Sequence, residues 1–139
     1  MSLKQEERDV IVALELEKSA KTLAQVDVMT QSGIWEMAAN RLYYALFHAV
    51  SALLINDHHE VGTHRGAVGK FSLFYVKTGI FTPEEGRLYS QLQQLREEGD
   101  YNCTIDVVQE DVEQKIQPTT LLIEKIREKI REQIKAKQA

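Results

Sequence analysis

Little in this sequence punctuates a chain. Two prolines and seven glycines are spread over 139 residues, which excludes a fold of many short strands and tight turns and favours a few long elements. The single cysteine, Cys103, excludes an intramolecular disulfide, and a reducing, cytoplasmic setting fits it. It stands in Tyr101-Asn102-Cys103-Thr104 without a neighbouring histidine, so a structural thiol is expected rather than a nucleophile. Long apolar runs are missing too. Leu42 to Ile55 is fourteen residues with His48 and Ser51 inside it, too short to cross a bilayer and suited to a buried helix. The opening Met1-Ser2-Leu3-Lys4-Gln5-Glu6-Glu7 is polar and acidic and does not read as a targeting segment. A net charge of −4 argues against a broadly basic nucleic-acid coat but leaves room for a small basic site.

What is present is helical periodicity. Apolar residues make up 43% and charged residues 27% of the chain, ordinary values for one globular domain with one core. No repeat or linker divides it, so residues 1–139 read as a single domain. Val10, Leu14, Leu16, Ala20, Leu23 and Ala24 predict a first helix over 5–32, stopped at Gly33. A second helix, Trp35 to Ile55, has apolar residues on two faces and is expected at the centre. Thr63 starts a third, which Gly79 closes. Thr82, Pro83 and Glu85 form a capping-box start for a fourth, with Leu88, Leu92 and Leu95 as its core face and Gly99 as its stop. After a loop over 99–108, Val112, Ile116, Ile123, Ile126, Ile130 and Ile134 mark the last helix. Its Glu124/Arg127, Glu128/Arg131 and Glu132/Lys135 spacings suit ion pairs on the wet face. Pro118 predicts a kink or a fresh start, with the segment beyond it projecting from the body. The fold class is therefore all-α: an up-and-down bundle of about five helices.

Two arginines stand where charge needs an explanation. Arg41, on the central helix, needs a carboxylate or must line a cleft. Arg96 lies near the predicted end of the fourth helix, where Gly99 would let Asp100 and Tyr101 fold back beside it. Such a cluster is either a structural knot of ion pair and phenol or a phosphate site, since the planar guanidinium donates two parallel bonds to phosphate oxygens. His58, His59, Glu60 and His64 lie close in sequence but lack metal-ligand spacing, and a solvated loop is expected. His48 reads as a bonded core histidine, and no cofactor-binding glycine loop is present.

Three blocks carry a resemblance: Ala38-Ala39-Asn40-Arg41-Leu42-Tyr43-Tyr44-Ala45-Leu46-Phe47-His48-Ala49; Thr63-His64-Arg65-Gly66 leading to Phe74-Tyr75-Val76-Lys77-Thr78-Gly79; and Leu95-Arg96-Glu97-Glu98-Gly99-Asp100-Tyr101. In this order they resemble the HEPN family, closest to its small stand-alone prokaryotic branch. The resemblance implies a helical bundle, usually dimeric, often paired with a minimal nucleotidyltransferase as a toxin–antitoxin module. Many members are metal-independent ribonucleases built on an Arg followed four to six residues later by a His. Carried over by position, Arg96 is the motif arginine, and Tyr101 stands where the His would be. Arg96, Asp100 and Tyr101 are then the candidate catalytic residues, and Arg41, Tyr44 and His64 the candidates for binding nucleotide or RNA phosphate, with no metal or cofactor. His64 or His48 would have to supply an imidazole from another helix. The expected function is the HEPN component of such a module, binding nucleotide or RNA phosphate; the alternatives are an active endoribonuclease toxin and a non-catalytic dimeric interaction protein.

Overall fold

The structure, a computed structural model, describes residues 3–101 and 107–138, with only the backbone of 99–101. The described residues form five α-helices: α1 (Gln5–Gln31), α2 (Trp35–Asn56), α3 (His64–Phe71), α4 (Pro83–Tyr101) and α5 (Gln109–Gln138). This is the expected all-α bundle.

α2 is the axis on which the others lean. Tyr43, Leu46, Val50, Leu53 and Leu54 are fully buried, as are Ala38, Ala39, Ala45, Ala49 and Ala52. The alanines let a neighbouring backbone come close, and α1 does so: the Ser19 hydroxyl donates to the Ala45 carbonyl at 2.7 Å. Gly33 joins the two helices at φ +71°, a left-handed turn that glycine adopts without strain.

The buried face of α1 is not the one its apolar residues predict. Arg8, Val12, Ser19, Thr22 and Val26 face inward, whereas Val10 and Leu14 are 59% and 51% exposed and Ala20 and Ala24 are exposed as well. The alanine-lined partner face leaves space for small and β-branched side chains rather than leucines. Leu16 and Leu23 are only partly buried at the edge of this core.

α3 begins as predicted, with the Thr63 hydroxyl accepting from Gly66 N–H at 2.9 Å. It then widens into a π-helical turn over Ser72–Val76, closed by Lys77 N–H to Ser72 O at 2.9 Å. Phe71 and Tyr75 on this stretch are both buried. The capping box of α4 is reciprocal: Thr82 N–H donates to Glu85 at 2.7 Å and Glu85 N–H to the Thr82 hydroxyl at 3.1 Å. Leu88, Leu92 and Leu95 are buried as expected. The stop expected at Gly99 does not occur, because α4 continues to Tyr101.

α5 corrects the expectation of a fresh start at Pro118 and of a projecting end. Pro118 lies inside one continuous helix at an exposed position. The segment beyond it packs rather than projects: Leu122, Ile123, Ile126 and Ile130 are buried, and Gln133 accepts from Asn56 at 3.0 Å and donates to Asp57 at 3.2 Å. Arg131 pairs with Glu128 at 3.0 Å as predicted. Arg127 instead donates to the Leu16 carbonyl at 3.0 Å, bracing α5 against α1.

Candidate functional site

The first two sequence blocks meet because α2 presents two consecutive tyrosines where α3 begins. Tyr43 is fully buried and Tyr44 half-buried, with their rings edge to face at 5.1 Å. His64, the first residue of α3, reaches across to both. Its Nδ1 lies 2.9 Å from the Tyr43 hydroxyl, its ring stacks on Phe47 at 4.5 Å, and it meets Tyr44 edge-on at 5.6 Å.

Arg96 arrives from α4 on the same pair of rings. Its guanidinium lies 4.9 Å from the Tyr43 centroid and 5.6 Å from that of Tyr44, and Nη1 donates to the Tyr44 hydroxyl at 3.4 Å. Only 6% of Arg96 is exposed. Burying this cation is eased by the electron-rich ring faces. Arg41 approaches Tyr44 as well, 5.4 Å from its centroid. Of the two roles open to it, a carboxylate pair or a place lining a cleft, it bonds amide oxygens in place of a carboxylate: Asn40 accepts from Nε at 3.0 Å and Nη2 at 2.6 Å, and Gln25 from Nη1 at 3.2 Å.

Two arginines, one imidazole and two phenols thus gather where α2, α3 and α4 meet. Burial pushes the Tyr43 phenol up to about 12, against an opposing pull from Arg96, so it stays protonated at neutral pH. Burial, then the Arg96 cation, then His48 hold the His64 imidazole below its ordinary value. A neutral imidazole can accept a proton. Two tautomers satisfy the contact with Tyr43, and one of them leaves Nε2 with a lone pair.

The structure therefore brings together Arg96, Arg41, Tyr44 and His64. The side chains of Asp100 and Tyr101, expected beside Arg96, lie outside the described residues, as does Cys103. His48 bonds the Glu15 carboxylate at 2.8 Å. His59 stacks on Phe74 at 4.0 Å, away from the Phe47 ring that holds His64, and no group of three metal-ligating side chains occurs among the described residues. Sequence reasoning missed the parts played by Tyr43 and Phe47. Their four-residue spacing on α2 was the available signal, but it was equally that of core packing. It also missed Arg65, which pairs with Glu97 at 3.3 Å and ties α3 to α4.

The chain belongs to the HEPN domain family, whose sequence profile matches residues 12–130. It is 30% identical over 129 residues to a UPF0332 protein of Thermotoga maritima, covering 93% of this chain and 97% of that one. It is also similar to two proteins of Methanocaldococcus jannaschii named as candidate toxins. One is 27% identical over 125 residues, covering 90% of this chain and 92% of the relative. The other is 28% identical over 98 residues, covering 70% and 67%.

Proposed function

We propose that this chain is the HEPN component of a toxin-type module and that its Arg96–His64–Tyr44 cluster binds a phosphate of RNA or of a nucleotide. The observation that carries this reading is the convergence of Arg96 and His64 on one pair of tyrosines. A guanidinium supplies charge-assisted donors for phosphate oxygens, an imidazole can donate or accept a proton, and the Tyr44 ring offers a face for a base. Arg41 adds a second positive charge beside Tyr44, 5.4 Å from its ring centroid. Membership of the HEPN family and the toxin names of two relatives support the same reading. The proposed partners are a second copy of the chain, which would set two clusters across one cleft, and a minimal nucleotidyltransferase.

A second reading, metal-independent endoribonuclease, is favoured by His64. It brings an imidazole to Arg96 from another helix, which the Arg-to-His spacing of the family would otherwise supply. In that reaction the imidazole takes the 2′-hydroxyl proton as the 2′-oxygen bonds to phosphorus. The bond to the 5′-oxygen breaks, leaving a 2′,3′-cyclic phosphate; the 5′-oxygen takes a proton from solvent and leaves as the alcohol, and Arg96 stabilises the charge on phosphorus.

The experiment is wild-type protein and Arg96→Ala incubated with total RNA in EDTA, alongside a filter-binding assay with the same RNA. Binding by wild type and at least tenfold weaker binding by a folded Arg96→Ala is the expected result. Cleavage by wild type alone selects the endoribonuclease. Equal binding by both proteins removes Arg96 from the site and overturns the reading.

A further inference from the structure

Towards the C-terminal end of α2, Arg8 of α1 is buried against the helix. Arg8, in the second turn of α1, is only 6% exposed. Its Nη1 donates to the Ile55 carbonyl at 2.8 Å, and its Nε is buried without a hydrogen-bond partner. No carboxylate among the described residues forms an ion pair with it. A buried charge of this kind normally has a counter-charge. The α2 carbonyl end offsets part of the cost, since a cation is favoured at a helix C-terminus, but Arg8 also sits near the N-terminus of its own helix, where a cation is disfavoured.

Arg8 is one wall of a cleft of about 620 Å³ completed by Leu3, Ile55, His58, His59, Glu60 and Val61. The other groups around it lean towards an anion. His58 turns at φ +65° immediately after α2, and His59 is held flat against Phe74 with 8° between the rings. Stacking occupies the ring faces and leaves the edge nitrogens able to bond. The Lys70 ammonium donates to the Glu60 and Val61 carbonyls and so brings another cation to the rim. Of the acidic groups, Asp57 is committed to the Tyr75 hydroxyl and Gln133. Glu60 is exposed to solvent, where its charge is screened.

We propose that this cleft is a second anion site, in which Arg8 and the edges of His58 and His59 bind a phosphate group. The Arg8 N–H groups not committed to Ile55 supply charged donors for phosphate oxygens on the cleft side. The site lies eleven residues along α2 from Tyr44, about 17 Å at helical rise, so it goes beyond the Arg96 cluster and does not depend on it.

The test is a titration of ¹⁵N-labelled wild-type protein with inorganic phosphate and, separately, with AMP, followed by amide shifts. Saturable shifts over residues 55–61 are expected. Arg8→Gln should weaken them about tenfold or more, and Arg96→Ala should leave them in place. Saturation by phosphate alone assigns a free-anion site, and saturation by AMP alone assigns a phosphate monoester. No saturable shift at 55–61 with either probe in the wild type overturns the proposal whether or not Arg8→Gln folds. So does undiminished binding by Arg8→Gln, or shifts confined to Tyr43, Tyr44 and His64, which would assign the anion to the first cluster. Loss of RNA binding with phosphate binding at 55–61 intact would sink the first reading and leave this one standing.

Discussion

Arg96 and His64 are coupled through charge as well as contact, and this coupling is measurable. The Arg96 cation helps hold the His64 imidazole below its ordinary value. An NMR titration of His64 should therefore give a higher value in Arg96→Gln than in the wild type; an unchanged titration would mean the two groups do not sense one another. The same depression has a consequence for stability. The unfolded ring takes a proton as pH falls through about 6.5, while the folded ring does so only lower. The contribution of neutral His64 is thus complete above about pH 6.5 and is lost as pH drops from there through the folded value. Urea midpoints measured downward from pH 7 should fall less steeply in His64→Gln than in the wild type. Arg96 also contributes through its two tyrosine faces. Arg96→Lys keeps the charge but loses the planar fit, and about 1 kcal/mol of stability should go with it. Tyr44 and His64 were candidates through the family resemblance, but that Arg96 meets them and Tyr43 was not legible in the sequence, since Tyr43 and Phe47 gave no signal beyond helical spacing.

At the scale of elements, sequence rules held where the physics is local and failed where it is not. The Thr82 and Glu85 box needs only four residues and a helix start, and it forms as written. Thr82→Ala should cost about 1 kcal/mol in chemical denaturation. The fresh start and projecting end expected at Pro118 do not occur, because its local cost is real but does not decide the outcome. The burial of Val112 before it and of Thr119, Leu122 and Ile126 beyond it keeps α5 continuous across a missing hydrogen bond. Pro118→Ala restores that donor at an exposed position and should stabilise the protein by about 1–3 kcal/mol. A loss of stability on that substitution would show that the ring itself packs. The first helix was misread for a related reason. Apolar spacing nominated Val10 and Leu14, but an alanine-rich neighbour accepts Ser19 and Thr22 instead and satisfies Ser19 with a backbone carbonyl.

For the molecule as a whole, the proposed pairing of two clusters across one cleft requires a dimer. Light scattering on the purified chain should give about twice 15.9 kDa, and a stable monomer would leave each Arg96 cluster to act alone. Helix number, the central place of α2, the caps of α3 and α4 and the HEPN resemblance were determined by the sequence itself. Periodicity, capping chemistry and ordered motifs act over a few residues or depend only on their order in the chain. The α1 face that is buried, the path of α5 through Pro118, the meeting of His64 with Arg96 and the solitary burial of Arg8 against Ile55 were decided by tertiary structure. Each depends on which side chains a distant helix presents, and that is set by packing around α2 rather than by any neighbour in the chain.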